Sequence, residues 1–286
     1  MSPTEIKQIL ASLGARPNKG LGQNFLIDQK TLEIIVETAA VKPGDLVLEV
    51  GPGLGVLTRE LMDKGADVVA IERDRRFVDY LKREVGANNH SPVRIVHGDA
   101  ADVHWHELIG EGNWKFVSNL PYSMTSFALR KALWAPKPPE NLVVLVQREV
   151  GERATETAGR TAYRVPRSGK TSLLSLMVAL SSSAVRVVRR VPAGCFFPPP
   201  KVESVVLQIV PMPWAEREKK WGISPEKIME VAKRGFAHPR KLLKSNLAQE
   251  GVDVESSLRD LGINEKARAE DLSPEDWASL TQAISV

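Results

Sequence analysis

The sequence is poor in cysteine and lacks long apolar runs. Cys195 is the single cysteine in 286 residues, so an internal disulfide is impossible and a reducing compartment is indicated. No apolar run reaches the roughly 18 residues that a membrane helix needs. Glu5 and Lys7 also interrupt the N-terminal segment that would be apolar in a secretory signal. These absences predict a cytoplasmic protein that does not cross a membrane.

Metal chemistry finds little support in the sequence either. A zinc-dependent base deaminase is excluded, because its Cys-x-x-Cys pair has no counterpart here. His104 and His106 are too few for a metal site without a third ligand, so no metal is predicted. Residues 169–171 resemble the end of a phosphate-binding loop, but Arg164 stands where that loop requires its first glycine.

Positive charge is in slight excess and is unevenly distributed. The formal net charge is +4 and the isoelectric point is about 9.1, which fits a polyanionic partner without requiring one. Basic residues concentrate in two groups: Lys233, Arg234, His238, Arg240, Lys241 and Lys244, and then Arg148, Arg153, Arg160, Arg164, Arg167 and Lys170. Each group is interpreted either as a contact surface for nucleic-acid phosphates or as a solvated face.

Short apolar strands alternate with helices in the first two thirds of the chain. Strands are predicted at 46–50, 67–72, 93–96, 116–118, 142–146, 185–191 and 202–210, and helices at 56–64, 77–85 and 172–180. Alternation of this kind is typical of a mainly parallel sheet covered on both faces. The last two strands are too close for a crossover helix and should pair antiparallel. The prediction is an α/β protein with a doubly wound, mainly parallel seven-stranded sheet.

The pattern becomes purely helical after the Pro211-Met212-Pro213 segment. Helices are predicted at 225–236, 240–249, 254–261 and 274–284. Ser273 fits the N-cap of the last helix and Pro274 its first position. We therefore predict a large domain at 1–211 and a small all-helical domain at 212–286, the latter for binding RNA or substrate.

A glycine loop between the first strand and the first helix is the strongest local signal. Glycines at 51, 53 and 55 let the backbone turn sharply beside a ligand at the carboxyl end of the strand. Glu49 precedes them, and Glu72 ends the next strand about 20 residues on, where a carboxylate can bind ribose hydroxyls. Val56 replaces the third glycine of a dinucleotide fingerprint, so the spacing favours S-adenosylmethionine over NAD. The alternative interpretation, a glycine-rich turn that binds no ligand, remains.

Asp99 follows the third strand and is a second candidate contact for a nucleoside. Its carboxylate can accept a hydrogen bond from the adenine amino group of a cofactor, or it can serve only as a turn or N-cap residue. Arg73, which follows Glu72, and Ala100, which follows Asp99, are included as candidate cofactor contacts.

The Asn119-Leu120-Pro121-Tyr122 segment after the fourth strand indicates the reaction. The Asn119 side-chain oxygen and the Leu120 carbonyl can hold the two hydrogens of an adenine amino group and localise its lone pair for methyl transfer. Pro121 fixes the backbone, and the Tyr122 ring can stack on the base. Transfer would then depend on positioning. A strand-ending turn with a buried tyrosine is the alternative.

Phe196 opens a rigid aromatic and proline-rich segment, Phe-Phe-Pro-Pro-Pro-Lys-Val. A phenylalanine held in this way could clamp the second face of an extruded base. The alternative is an aromatic residue that packs in the core, which is common for phenylalanine. Lys201 lies in the same segment and is a candidate RNA contact.

Taken together, these segments resemble the bacterial small-subunit ribosomal RNA adenine dimethyltransferases nearly end to end. The segments that carry the resemblance are 21–28, 49–55, Glu72, Asp99, 119–122, 146–150, 196–204, 240–247 and 268–273. Their order and spacing are specific, although Ser123-Met124 stands where the family usually has Asn-Ile. The resemblance implies a Rossmann-like methyltransferase that uses S-adenosylmethionine.

The resemblance also implies the substrate and further site residues. The family dimethylates the N6 amino groups of two adjacent adenines in a loop near the 3′ end of 16S rRNA, late in small-subunit assembly. Gln23, Asn24 and Leu26 are implied as further cofactor contacts, and Asn119 is included as a cofactor contact besides its place as an acceptor. The implied partner is small-subunit rRNA in a pre-assembled 30S particle, and a monomer is the default expectation.

Three other functions stay open at this point. A relative could modify large-subunit rRNA and confer antibiotic resistance, although residues 268–273 and the helical end favour the small subunit. A dinucleotide-dependent oxidoreductase is disfavoured by Val56. A non-catalytic assembly factor would use the fold only to bind RNA, which the intact acceptor loop at 119–122 disfavours.

Overall fold

The computed structural model describes residues 1–17, 23–85, 93–158, 170–248 and 253–284. Within these ranges the strands are β1 (Phe25–Leu26), β2 (Leu46–Val50), β3 (Asp67–Glu72), β4 (Val93–His97), β5 (Trp114–Asn119), β6 (Asn141–Gln147), β7 (Ser182–Val191), β8 (Phe196–Phe197) and β9 (Ser204–Pro211). Leu21, Gly22, Arg160, Arg164, Arg167 and Gly169, which the sequence analysis singled out, lie outside the described residues.

The helices in the described ranges are α1 (Pro3–Ser12), α2 (Gln29–Ala39), α3 (Val56–Asp63), α4 (Arg75–Glu84), α5 (Trp105–Ile109), α6 (Thr125–Leu133), α7 (Arg148–Thr157), α8 (Leu173–Ser181), α9 (Trp214–Trp221), α10 (Pro225–Gly235), α11 (Leu243–Leu247), α12 (Val254–Asp260) and α13 (Pro274–Ile284). None of the helices in the described part of the chain combines the length and the apolar character needed to cross a bilayer.

Seven strands form one sheet in the order β4-β3-β2-β5-β6-β9-β7. The pairs from β4 to β6 are parallel, and β9 pairs antiparallel with β6. This confirms the predicted doubly wound, mainly parallel sheet of seven strands. The chain runs outward from β2 to β4 and then returns to β5, so the order reverses between β2 and β5. Ligands of open α/β sheets bind at the carboxyl ends of strands around such a reversal.

Both faces of the sheet are buried, because alternate residues of each strand point to opposite sides. Val117 and Val143 join the apolar core that contains Leu32 of α2 and Leu61 of α3. Phe116 points the other way, with its ring centroid 5.4 Å from that of Trp105. Each fully buried side chain of this size stabilises the fold by about 1.5–3 kcal/mol. The core thus fixes where the carboxyl ends of the strands lie.

A two-stranded ribbon forms beside the sheet, although the sequence analysis did not predict it. β1 and β8 pair antiparallel, with Phe25 opposite Phe197 and Leu26 opposite Phe196. The Ile27 amide also donates to the Cys195 carbonyl at 2.9 Å. The ribbon brings together two segments that are far apart in the chain. Two residues per strand leave no periodic signal that sequence reasoning could detect.

The chain divides into two compact units. The first comprises Met1–Gly151 and Val187–Val210, and the second comprises Glu152–Arg186 and Pro211–Val286. The division expected at residue 211 coincides with one boundary, but residues 152–186 belong to the second unit. Within that unit the Thr171 amide donates to the Glu270 carbonyl at 2.7 Å.

The second unit is held together around a buried tryptophan. Trp277 is fully buried and stacks on Phe236 at a centroid distance of 5.7 Å. A β-carbon at Gly235 would lie 2.5 Å from the Trp277 ring, so α10 can approach α13 only because glycine stands there. The Trp221 indole donates to the Leu180 carbonyl at 3.0 Å. After residue 211 the elements in the described ranges are helical, as predicted.

One predicted helix was too long. The prediction placed a helix at 240–249, whereas α11 comprises only Leu243–Leu247. A turn precedes it, closed by a hydrogen bond of 2.9 Å from the Lys241 amide to the His238 carbonyl. Pro239 lies within that turn, where its fixed φ is favourable. Arg240 and Lys241 therefore lie in a turn instead of on a helix face.

Candidate functional site

The glycine loop follows β2 and leads into α3. Gly51, Gly53 and Gly55 have φ values of 70°, 58° and 74°, a region that favours glycine. A β-carbon at Gly51 would lie 3.2 Å from the ring of Pro121 in the neighbouring loop. The Gly51 amide donates to the Ile71 carbonyl at 2.9 Å. The loop is thus fixed to β3 and lies directly against the segment that follows β5.

Glu72 ends β3 with its carboxylate beside the glycine loop. One oxygen accepts a hydrogen bond from the Gly53 amide at 3.1 Å, and the other accepts from the Asp74 amide at 2.8 Å. Burial raises the pKa of Glu72, and the backbone N–H donors oppose that rise. The structure therefore places an oriented carboxylate where the sequence predicted the ribose contact.

Asp99 follows β4 and forms a turn through its own side chain. Oδ1 accepts from the Ala101 amide at 2.9 Å, and Oδ2 lies 3.2 Å from the Arg73 guanidinium. The Arg73 side chain is 66% exposed, and an ion pair in such a setting is worth about 0–1 kcal/mol. Asp99 therefore stabilises a turn, as one of its two interpretations expected. Its second carboxylate oxygen makes only a weak contact with Arg73, which a ligand can replace.

Glu49 is the buried member of the site. Its side chain is 1% exposed, and the Thr58 hydroxyl of α3 donates to its Oε2 at 2.7 Å. The pKa of Glu49 is raised to about 8, chiefly by burial and also by the neighbouring Glu72 carboxylate. The hydrogen bond from Thr58 acts in the opposite direction. A proton is therefore held at the floor of the site up to neutral pH.

The segment after β5 carries the two predicted acceptors. The Asn119 side-chain nitrogen donates to the Asn24 carbonyl at 3.3 Å, so the amide oxygen is the atom that can accept. Leu120 is buried, and Pro121 takes φ −55° and ψ 128°. The Met124 amide donates to the Pro121 carbonyl at 2.8 Å and closes a 3₁₀ turn. The backbone around both acceptors is therefore fixed.

Tyr122 is anchored by a residue that the sequence analysis missed. Its hydroxyl lies 2.7 Å from the hydroxyl of Ser204, which is fully buried in β9. Burial raises the pKa of Tyr122, and the hydrogen bond to Ser204 lowers it. The phenol is therefore protonated near neutral pH, and its ring is held by its far end. No local pattern marks Ser204, because this contact arises only when β9 pairs with β6.

The β1–β8 ribbon borders the site on its other side. Phe196 is 3% exposed and belongs to the apolar core, yet it also lines the pocket. A β-carbon at Gly53 would lie 3.2 Å from the Phe25 ring, so this ring touches the glycine loop. Phe25 packs edge-on against Phe77 at 5.9 Å. Phe196 therefore packs in the core, as the alternative interpretation expected, while a clamp on an extruded base stays a prediction.

One pocket is lined by all the predicted catalytic and cofactor residues except Gly55. Its lining includes Gln23, Asn24, Leu26, Glu49, Gly51, Gly53, Glu72, Arg73, Asp99, Ala100, Asn119, Leu120, Pro121, Tyr122 and Phe196. Gly55 is not part of this lining; it forms the N-cap of α3. Residues that sequence reasoning missed in the lining include Phe25, Leu32, Ile71 and Met124. The pocket lies at the carboxyl ends of β2 to β5, where the strand order reverses.

The predicted RNA contacts of the first unit differ in how firmly they are held. Lys201 is exposed. Arg148 is 47% exposed and lies 2.6 Å from the Glu203 carboxylate. An exposed pair contributes at most about 1 kcal/mol, so Arg148 can exchange Glu203 for a phosphate.

The predicted RNA contacts of the second unit lie on α10, in the turn before α11 and on α11 itself. Lys233, Arg234, Arg240 and Lys241 are exposed. Lys244 is half-buried and pairs with Glu255 of α12 at 3.0 Å. The positive charge of Lys244 is therefore partly balanced by Glu255, an acidic residue that lies outside the basic segment 233–244.

Metal-ligating side chains do not cluster in the described part of the chain. None of its His, Cys, Asp and Glu residues form a group of three or more with the geometry for a metal ion. The rings of His104 and His106 pack edge to face with centroids 5.9 Å apart.

The order of the seven strands and the glycine loop between β2 and α3 are those of a Rossmann-like methyltransferase. The model of the family described as ribosomal RNA adenine dimethylase matches residues 14–285. The chain belongs to this ribosomal RNA adenine dimethylase family, which confirms the resemblance inferred from its motifs.

Curated relatives match the chain over almost its whole length. A ribosomal RNA small subunit methyltransferase A of Dehalococcoides mccartyi is 36% identical over 282 residues, covering 96% of this chain and 91% of the relative. The protein of that name from Deinococcus radiodurans is 34% identical over 288 residues, covering 100% and 91%.

Solved structures show the same fold. The 23S rRNA methyltransferase ErmE is 26% identical with a TM-score of 0.65, covering 92% of this chain and 100% of its own. A dimethyladenosine transferase of Plasmodium falciparum is 22% identical with a TM-score of 0.68, covering 90% and 95%. The second likeness concerns the fold alone.

Proposed function

We propose that the protein transfers methyl groups from S-adenosylmethionine to the N6 amino groups of two adjacent adenines near the 3′ end of 16S rRNA, during biogenesis of the small ribosomal subunit. Relatives at 32–38% identity that are named small subunit methyltransferase A support this substrate. The observation that carries the chemistry is the orientation of Asn119. Its nitrogen is engaged by Asn24, so its oxygen can accept from the substrate.

Two acceptors address the difficulty of this reaction. The lone pair of an adenine amino group is delocalised into the ring, which makes the nitrogen a poor nucleophile. The Asn119 oxygen and the Leu120 carbonyl would each accept one amino hydrogen and so localise the lone pair towards the methyl group. Bound S-adenosylmethionine would supply that methyl group from its sulfonium, leaving a neutral thioether while the nitrogen releases its extra proton to water. The chain therefore contributes mainly position.

The pocket fits a nucleoside sulfonium donor. The Glu72 carboxylate lies buried beside the glycine loop, where it can accept from ribose hydroxyls, and Asp99 stands at the end of the next strand for the adenine amino group. Gln23, Asn24 and Leu26 of the segment around β1 line the same pocket. We assign the donor to these residues, with the glycine loop beneath it.

Aromatic side chains would hold the target base. The Tyr122 ring is fixed through Ser204, and Phe196 lines the pocket from the β8 side. A base extruded from an rRNA loop can stack between such groups at low unstacking cost. The exposed basic residues Lys201, Arg240 and Lys241 would contact phosphates of the rRNA. We propose a monomer that acts in the cytoplasm on a pre-assembled 30S particle.

The decisive experiment replaces the first acceptor. Asn119→Ala should abolish labelled methyl transfer to undermodified 30S particles, while the donor still binds through the glycine loop and Glu72, which the variant leaves unchanged. Asn113→Ala is the matched control, since the Asn113 side chain contacts Glu140 and does not line the pocket. Nucleoside mass analysis for N6,N6-dimethyladenosine identifies the product. Unchanged transfer by Asn119→Ala would mean that this segment is not catalytic.

Three alternative functions can be tested with the same protein preparation. The likeness to ErmE makes 23S rRNA the main competing substrate, so both rRNAs should be mapped for methylated adenines after reaction. Preferential binding of NAD over S-adenosylmethionine in equilibrium dialysis would instead favour an oxidoreductase. A protein that binds 30S particles but transfers no methyl group would be an assembly factor only.

A further inference from the structure

Lys131 of α6 lies behind the wall of the pocket that Asp99 and Ala100 form. We propose that Lys131 is a positioning residue, whose ammonium fixes the turn at residues 99–103 and thereby holds these two residues in place for the adenine of the donor. This inference rests on the proposed function, because it concerns how the donor site of that reaction is supported.

The Lys131 ammonium lies among three main-chain oxygens. Its Nζ donates to the carbonyls of Ala100 at 2.9 Å, Ala101 at 3.2 Å and Val103 at 2.6 Å. An ammonium has three N–H donors, so each donor has one acceptor. Carbonyl oxygens that converge on one point repel one another unless a cation lies between them. The shape of this turn therefore depends on the charge of Lys131.

Two aromatic rings enclose the same ammonium. Nζ lies 5.2 Å from the ring centroid of Trp105 and 5.2 Å from that of Phe127, within the range of a cation–π attraction. The Trp105 indole also donates to the Ala100 carbonyl at 3.0 Å. The Ala100 carbonyl thus accepts hydrogen bonds from Trp105 of α5 and from Lys131 of α6. These two contacts together fix the main chain at Ala100.

The opposite side of this turn faces the pocket. Asp99 Oδ1 accepts from the Ala101 amide, and the amides of Asp102 and Val103 donate to the Asp99 carbonyl at 2.9 and 3.1 Å. Gly98, Asp99 and Ala100 line the pocket. A shift of the main chain at Ala100 therefore moves the groups that would contact the adenine.

Lys131 also connects the two sides of the reaction. Its helix, α6, begins at Thr125, directly after the 3₁₀ turn at Tyr122–Met124. The helix that follows the acceptor segment of β5 is therefore tied to the turn that follows β4. The acceptor segment has its own anchors, from Asn119 to Asn24 and from Tyr122 to Ser204, so the loss of the Lys131 contacts should displace the turn at residues 99–103 and leave the acceptors in place.

Lys131→Met tests the proposal, because it removes the charge and keeps most of the apolar stem. The Kd and KM for S-adenosylmethionine should rise about tenfold, the scale of lost hydrogen bonds to a charged group. The kcat at saturating donor should stay within about twofold. Lys137→Met is the matched control: Lys137 donates to the Glu111 carbonyl at 2.8 Å, neither residue lines the pocket, and both constants should be unchanged.

Binding measurements separate positioning from a general loss of stability. S-adenosylhomocysteine and 5′-methylthioadenosine both carry the adenine, so calorimetry should show both weakened by the same factor in Lys131→Met. A purely structural role predicts a lower Tm with unchanged donor Kd and KM, and that result would overturn the proposal. Lys131→Gln serves as a second neutral variant with the same expected result if the methionine variant does not fold.

Chemical rescue restores the ammonium alone. Lys131→Cys in a Cys195→Ala background, treated with 2-bromoethylamine, regains a side chain with sulfur in place of one methylene. Donor affinity should return to that of the Cys195→Ala protein, and failure to return would contradict the proposal. An unmodified protein that neither binds the donor nor transfers methyl groups would defeat the proposed function instead.

Discussion

The buried carboxyl of Glu49 should make the stability of the protein depend on pH. Its pKa rises from the ordinary value of 4.5 to about 8, chiefly because of burial. Between these two values the folded state keeps a proton that the unfolded state has released. The folded state therefore binds more protons, and the free energy of unfolding must fall as the pH rises through this interval. The stabilising contribution is fully present below pH 4.5 and is lost by about pH 8.

The expected magnitude is large enough to measure. One proton difference is worth about 1.36 kcal/mol per pH unit, so the whole interval corresponds to about 5 kcal/mol, of which about 2 kcal/mol falls between pH 6 and pH 8. Glu49→Gln keeps the size of the side chain and an acceptor for the Thr58 hydroxyl, but it cannot titrate. The stability of this variant relative to the unmodified protein should therefore increase by about 2 kcal/mol over that range.

Denaturant unfolding followed by circular dichroism at pH 6, 7 and 8, without cofactor, provides the assay. Comparing variant with unmodified protein at each pH cancels the titration of all other groups. Glu33→Gln, on the exposed side of α2, is the control and should give a difference that does not change with pH. A constant difference for Glu49→Gln would refute the reasoning, since it would mean that the carboxyl is already ionised in the folded state at pH 6.

Three further predictions concern single contacts. Ser204→Ala should lower kcat about threefold to tenfold through the lost hydrogen bond to Tyr122, while the donor Kd measured by calorimetry stays the same; an unchanged single-turnover rate would contradict this. Arg240→Ala with Lys241→Ala should weaken rRNA binding and reduce the slope of log K against log salt by about 1 to 2 in filter binding, and an unchanged slope would exclude phosphate contacts. In Gly55→Ala the new β-carbon would lie 2.6 Å from a methyl group of Leu81, and residue 55 would have to keep its φ of 74°. The free energy of unfolding, measured by thermal unfolding, should therefore fall by about 1–3 kcal/mol; equal stability would show that the loop can adapt.

The sheet could be predicted from the sequence because its strands carry a strong local signal. β2 and β3 begin and end where the apolar runs at 46–50 and 67–72 do. The last helix, Pro274–Ile284, also has the predicted bounds, since Ser273 bonds to Asp276 as an N-cap residue should. In both cases the residues that decide the structure are neighbours in the chain.

Elements set by tertiary contacts were missed. The β1–β8 ribbon has two residues per strand, and only its pairing across the chain defines it. Residues 152–186 were predicted as part of the first domain, although α8, which lies in this range, packs against α10 and α13. Propensity and periodicity do not report such long-range packing.

The residues of the candidate site likewise fall into those that a local sequence pattern marks and those that only long-range contacts define. Glu72, Asp99 and Asn119 each follow a recognisable strand, and parallel strands bring their carboxyl ends to one edge, so a shared site could be predicted from the sequence. Ser204 and Lys131 could not be. Their contacts with Tyr122 and Ala100 span 82 and 31 residues of chain, and a serine or lysine in a strand or helix carries no local mark of such a contact.

The contacts between the two loops explain how this site can act mainly by position. In the proposed reaction, residues at the ends of β2, β3 and β4 would bind the methyl donor and the acceptors would come from the end of β5, so transfer would depend on the distance between the loops that follow β2 and β5. Two contacts fix that distance: the Ser118 hydroxyl donates to the Val50 carbonyl at 2.6 Å, and Gly51 packs against Pro121. A third contact, from the Asn119 amide to the Asn24 carbonyl, holds the acceptor against the segment before β1. An in-line displacement loses rate steeply when its reactants move by about 1 Å. Changes at these points should therefore slow transfer more than they weaken the binding of either reactant.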